Sequence, residues 1–181
     1  MQHDVGLDEA GWTALYQRLE TPLFNAAFRY VWQRQEAQDL VQEAFLQLWQ
    51  RRLQIEVTTV EGWLWTTLLN LARKRRRWQA LRHFLQLDEG EPLTSSEAGP
   101  DLAVQDAQQA QQLRRAIDAL SDKLRRVLLL TEFSGLPQHE VARLLGIPAG
   151  TVASRRHLAL QALRAVVAAP GAALPGNRID E

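Results

Sequence analysis

Residues Gly135–Leu163 read GLPQHEVARLLGIPAGTVASRRHLALQAL, a spacing that predicts two short helices joined by a tight turn. Pro137 has a fixed φ and no N–H, which suits a first helical turn whose donors are unpaired in any case, so a helix is expected to begin there and run to about Leu145. Gly146 then ends it. Val141, Leu144 and Leu145 supply an apolar side, Ala142 is small enough for a second helix to approach closely, and Ile147 fills the turn. After Pro148 a second helix is expected from about Ala149, and at about 100° per residue Val152, Ala159, Leu160, Leu163 and Val166 share its inward side. Thr151, Ser154, Arg155, His157 and Gln161 are left facing outward. Such donors and acceptors on the N-terminal half of a second helix can reach phosphates and base edges, so the stretch reads as a DNA-binding helix-turn-helix. An ordinary helical hairpin with a polar face is the plainer alternative.

The 181 residues suffice for one or two domains, and a composition of 46% hydrophobic and 23% charged residues can build true cores. The absence of cysteine removes disulfides, thiolate metal sites and cysteine nucleophiles, and fits a reducing cytoplasm. The opening residues MQHDVGLDEA lack the basic-then-apolar layout of a signal peptide, and no apolar stretch approaches the ~20 residues of a membrane span. A soluble cytoplasmic protein with no membrane contact is therefore expected.

Formal net charge is zero, yet the charges are segregated. Residues 1–50 carry 3 Lys/Arg against 7 Asp/Glu, residues 51–82 carry 8 against 2, residues 83–112 carry 0 against 6, and residues 113–181 carry 10 against 6. Two basic regions thus flank an acidic connector, a distribution that bears on nucleic-acid binding more than the total does. Within the connector, LDEGEPLTSSEAGPD from Leu87 to Asp101 is rich in Gly, Pro, Ser and acids, a composition that disfavours a packed core. The expected architecture is all-α: two small helical domains joined by a flexible acidic linker, the C-terminal one containing the helix-turn-helix. Residues 1–82 form the first domain, 83–112 the linker and the start of the next helix, 113–168 the second domain, and 169–181 a disordered tail. Four helices are expected in each domain.

In the first domain, DLVQEAFLQLWQR from Asp39 to Arg51 places Leu40, Val41, Ala44, Phe45, Leu48 and Trp49 on one broad apolar side. Leu46 projects opposite, among Asp39, Gln42 and Glu43. A single outward leucine is ordinary; in this acidic company a protein-docking surface is an equal reading. A loop from about Arg52 to Glu61 follows, then WLWTTLLNLARKRRRWQALR from Trp63 to Arg82, with Trp63, Leu64, Leu68 and Leu71 on its buried side. Arg73, Lys74, Arg75, Arg76 and Arg77 are consecutive, followed by Trp78 and Arg82. Five cations in a row wrap around a helix and can be a solvated helix end. Arginines interleaved with aromatics also suit melted nucleic acid, where guanidinium groups hold the backbone.

In their order these segments resemble the bacterial sigma factors, in particular the small two-domain extracytoplasmic-function (ECF) group, over about Leu15 to Val167. DLVQEAFLQLW resembles the segment that grips the clamp helices of core RNA polymerase, WLWTTLLNLARKRRR the segment at the melted −10 element, and GLPQHEVARLLGIPAGTVASR the helix-turn-helix for the −35 element. The resemblance implies polymerase contact through Asp39, Gln42, Glu43 and Leu46. It implies DNA contact through Asn70, Arg73, Lys74, Arg75, Arg76, Arg77, Thr151, Ser154, Arg155 and His157, with the loop Arg52 to Gly62 accepting a flipped base. It also implies an acidic linker along the polymerase RNA path, docking on the polymerase flap, and an anti-sigma partner. Three features depart from the family pattern. Ala153 and Leu158 stand where basic residues are common; Arg156 stands where an apolar residue is common, and either snorkels outward to add a contact or loosens the packing; and Arg73 with Lys74 replaces an apolar then acidic pair.

No catalytic chemistry is legible. His3, His83, His139 and His157 lack metal-ligand spacing, Asp39 with Glu43 is an i, i+4 pair on a solvated face, and no Gly-rich phosphate loop is present. No catalytic residue, metal or cofactor is expected. The competing non-enzymatic reading is a helix-turn-helix regulator whose first domain binds a partner or signal.

Overall fold

Leucines and alanines recurring every three or four residues determine the architecture. The structure, a computed structural model, describes residues 8–85 and 104–168; the acidic stretch Leu87–Asp101 and the tail 169–181 lie outside the described residues. The described residues form seven α-helices and one 3-10 turn, with no strand: α1 (Glu9–Val31), α2 (Arg34–Arg51), the 3-10 turn Val57–Thr59, α3 (Val60–Phe84), α4 (Val104–Ala119), α5 (Asp122–Phe133), α6 (Gln138–Leu145) and α7 (Ala149–Ala168). The fold is all-α, as expected. Among the described residues the first half has three α-helices where four were expected, and α1 runs unbroken past Pro22.

Asp8 caps α1, its Oδ1 accepting from the Gly11 N–H at 2.7 Å. Leu15, Leu19, Leu23 and Ala27 of α1 form a stripe that meets Leu40, Ala44 and Leu48 of α2 and Leu64, Leu68 and Ala72 of α3. Full burial of each leucine contributes about 1.5–3 kcal/mol. Trp65 and Leu69, outside the expected stripe of α3, are also fully buried, because this helix is covered on two sides. The loop before α3 is shorter than expected: Ile55 is buried as an anchor, and Val60, Glu61 and Gly62 already belong to the helix.

The second half closes around Leu120, Leu128 and Ala159, with Leu124, Leu160 and Leu163 packed against them. A single buried charged side chain, Arg125, joins α5 to α4 among the described residues; it is 2% exposed. Its guanidinium donates to the carbonyls of Ile117, Asp118 and Leu120, satisfying acceptors that the end of α4 leaves open.

The two halves meet face to face. The apolar cluster of α1–α3 continues into Val127, Leu129 and Leu130 of α5, Val141 and Ala142 of α6 and Val152 of α7. Gly62 lies against α6: a Cβ there would stand 2.6 Å from Leu144 Cδ2, so α3 and α6 approach this closely only without a side chain at 62 or with Leu144 displaced.

Candidate nucleic-acid interface

In the helix-turn-helix, α6 begins just after Pro137 and ends at Gly146, whose φ of 64° is the left-handed conformation that glycine adopts without a Cβ clash. Ile147 N–H donates to the Ala142 carbonyl and Gly146 N–H to that of Arg143, the paired bonds of a Schellman stop. Gln138 Nε2 donates to the Ala149 carbonyl at 2.7 Å, tying the start of α6 to the start of α7. The crossing of the two helices is thereby set by backbone groups.

On α7, Val152 and Ala159 are buried, whereas Ser154 and His157 are exposed and Thr151 and Arg155 half-exposed. These four share one polar face. Ser154 Oγ donates to the Thr151 carbonyl and keeps its acceptor lone pairs. Ala153 and Leu158 are exposed, so this face carries two uncharged side chains where cations would strengthen phosphate contact. Arg156 reaches back instead, donating from Nε to Glu132 Oε1 on α5 at 2.8 Å. Its side chain is 46% exposed, so it reaches the surface and pairs there with α5.

The basic tract of α3 divides in two. Asn70, Arg73, Lys74 and Arg77 are exposed at i, i+3, i+4 and i+7, one continuous stripe. Arg75 and Arg76 are half-buried and turned inward. Arg75 Nη1 stands 3.7 Å from Glu36 Oε1, while Gln79 Nε2 donates to Glu36 Oε2. Burial raises the Glu36 pKa above the ordinary glutamate value, and the Arg75 charge opposes that shift. Arg76 donates from Nη1 to Asp118 Oδ1 at 2.9 Å and from Nη2 to the Asp118 carbonyl at 3.1 Å. Even the stripe contributes to this contact, since Arg73 Nε lies 3.3 Å from Asp122 Oδ2.

The same two aspartates hold α1. Trp32 Nε1 donates to Asp118 Oδ1 at 2.9 Å, and Tyr30 Oη to Asp122 Oδ1 at 3.2 Å. Burial first, then the Asp122 charge, pushes the Tyr30 pKa well above the ordinary tyrosine range, so its hydroxyl remains a donor. Trp32 caps α1 with φ 58°, unusual for so large a residue. Sequence reasoning missed Tyr30, Trp32, Asp118 and Asp122, and no local signal marks them, because their partners lie 42 to 92 residues away.

A second surface lies on α2. Asp39, Gln42, Glu43 and Leu46 are exposed along one face, and Leu46 is 56% exposed. Gln35 Nε2 donates to Asp39 and Gln47 Nε2 to Glu43. Trp49, expected in the core, is instead 45% exposed. Its ring sits 5.1 Å edge-on to Trp12 and beneath the Arg52 guanidinium at 4.0 Å. Trp12, Tyr16, Phe45, Leu46 and Trp49 line an apolar groove beside the acidic face. Among the described residues no group of three His, Asp or Glu could hold a metal ion, and no helix is long and apolar enough to cross a membrane.

Residues 15–82 match the family model of sigma-70 region 2, and residues 110–163 that of sigma-70, region 4. The chain is 30% identical over 155 residues to the ECF RNA polymerase sigma factor SigE of Mycolicibacterium smegmatis, covering 84% of this chain and 60% of that protein. It is 31% identical over 153 residues to the ECF RNA polymerase sigma factor SigL of Mycobacterium tuberculosis, covering 83% and 85%. Among solved structures, CnrH in complex with the cytosolic domain of CnrY matches with a TM-score of 0.66 at 22% identity, over 91% of this chain and 92% of that one. The sigma factor RpoE in complex with the anti-sigma factor NepR, from Bartonella quintana, matches with a TM-score of 0.61 at 22% identity, over 87% and 99%. At that identity the shared property is the fold.

Proposed function

The chain belongs to the ECF RNA polymerase sigma factors, which direct the polymerase to promoters, and from that premise we propose how its surfaces divide the work. The acidic face of α2 docks on the clamp helices of core polymerase, with Leu46 and the groove behind it supplying apolar contact and Asp39, Gln42 and Glu43 supplying complementary polar groups. The exposed stripe Asn70, Arg73, Lys74 and Arg77 holds the backbone of the melted −10 element. Thr151, Ser154, Arg155 and His157 read the −35 element, Arg155 being the side chain able to bridge guanine O6 and N7.

The observation that supports this reading is the presence of two exposed cationic or polar helix faces and one exposed acidic face on a single chain that matches sigma-70 region 2 and then region 4. The segment 83–112 is proposed as the linker along the RNA path, with the second domain on the flap; an anti-sigma protein is proposed as the cytoplasmic partner that covers these surfaces. The protein acts without catalytic chemistry of its own. The alternative of a regulator with a signal-binding first domain is not favoured, because residues 15–82 match sigma-70 region 2. Gel filtration with purified core polymerase tests the proposal: co-elution and promoter-specific run-off transcription are expected. Operator binding by the free protein without association with polymerase would overturn it.

A further inference from the structure

Leu158 of α7 is 49% exposed and belongs to neither apolar cluster, whereas Val152, Leu160 and Leu163 of the same helix pack inward. It follows Thr151, Ser154 and Arg155 by seven, four and three residues, and Gln161 follows it by three, so it occupies the middle of the outward face. Ser154, Leu158, Gln161 and Ala165 are all exposed along one row of that face, and none of them is charged. Arg155 lies beside the row, and Arg156 is turned back to Glu132.

A leucine standing in water is ordinary on a protein surface. On a helix laid in a major groove it does not stand in water, because the row that points away from the protein is the row that meets the base edges. Its side chain can neither donate nor accept a hydrogen bond. Set against a base amide or carbonyl, it would displace water and leave that group without a partner. The floor of the major groove offers one apolar group, the C5 methyl of thymine.

We propose that Leu158 is a specificity-determining residue of this chain: it packs on the C5 methyl of a thymine in the −35 element and selects a T·A pair at that position. The proposal rests on the reading of α7 as the −35-binding helix. It gives an uncharged side chain a share of sequence recognition, beside the polar contacts of Ser154 and Arg155. It also gives a consequence to the lack of a cation at this position, since a leucine there exchanges phosphate or guanine contact for contact with a methyl group.

Holoenzyme assembled from the full chain and purified core polymerase is offered promoter duplexes randomised over the −35 element, and the bound sequences are read. Wild type should select thymine at one position that Leu158→Ala leaves undetermined. Deoxyuridine placed there removes the methyl group and nothing else. Wild-type affinity should then fall about four-fold, the value of one buried methyl, while Leu158→Ala should bind thymine and deoxyuridine duplexes alike. Leu158→Met keeps an apolar tip of similar reach and should keep the thymine preference. Leu158→Arg should exchange it for guanine, through O6 and N7. Equal wild-type affinity for thymine and deoxyuridine at every thymine of the selected element would overturn the proposal, and this comparison needs no substitution to fold. A deoxyuridine penalty that persists in Leu158→Ala would overturn it equally. Weaker co-elution of Leu158→Ala with core polymerase at unchanged base selection would place Leu158 against polymerase and overturn it as well. None of these three results touches the reading of α7 as the −35-binding helix; wild-type holoenzyme that selects no −35 sequence would overturn that reading together with the proposal.

Discussion

Leu46 is an apolar side chain 56% exposed on an acidic helix face, and its removal exposes no core. Leu46→Ala should therefore weaken co-elution with core polymerase while shifting the melting temperature by less than about 1–2 °C, as a surface substitution does. A large fall in melting temperature with intact binding would assign Leu46 to packing. On α7, Arg155 is half-exposed between the exposed Ser154 and His157. Arg155→Ala is expected to abolish transcription from the cognate promoter, whereas Ala153→Lys should raise affinity for specific and scrambled −35 sequences alike, as an added phosphate contact would. Glu36 contributes a pH dependence of definite sign. Its pKa is raised in the folded protein, so its favourable contribution is complete below the unfolded glutamate value of about 4.3 and is lost as pH rises through the folded value. Melting curves of wild type and Glu36→Gln should accordingly diverge as pH increases above that range, the variant becoming relatively more stable. Divergence in the opposite direction would show that the Arg75 pair outweighs burial.

Among the elements, the turn of the helix-turn-helix is held by backbone bonds and one left-handed glycine. No atom lies within 4 Å of a Cβ built on Gly146, so Gly146→Ala meets no packing obstacle and its whole effect is conformational. It should lower stability by about 1–2 kcal/mol in denaturant titrations. A neutral result would mean that the turn relaxes to another conformation, and −35 binding should then fall. The α4–α5 corner depends on a different device, a buried guanidinium bonded to three carbonyls. Arg125→Met retains most of the apolar stem and leaves those acceptors unpaired, so a loss of about 3–5 kcal/mol is expected, measured by chemical denaturation.

Over the whole molecule, the apolar cluster of α1–α3 is continuous with Val127, Leu129, Val141 and Val152 of the second half. The full chain should unfold in one calorimetric transition, with equal van't Hoff and calorimetric enthalpies. Two well-separated transitions would show that the halves are thermodynamically independent. The same continuity accounts for Gly62 at the approach of α3 and α6, where a bulky substitution such as Gly62→Val should loosen the union of the halves by displacing Leu144.

The amino-acid sequence by itself determined what is local or periodic. Pro137, Gly146 and the apolar spacing bounded α6 and the start of α7 to within a residue, and the outward place of Leu46 followed from 100° per residue, because helix phase depends only on position along one element. Tertiary structure decided what depends on partners distant in the chain. It exposed Trp49, which helical phase alone had assigned to the core, because α1 supplies Trp12 at its edge but no cover. It separated Arg75 and Arg76 from the outward stripe of their own helix, and it carried Arg156 to Glu132. Five consecutive cations are alike in the sequence; which of them face solvent is settled by where Glu36, Asp118 and Asp122 stand when the helices pack, and a carboxylate 42 residues away leaves no trace in the periodicity of the helix it will meet.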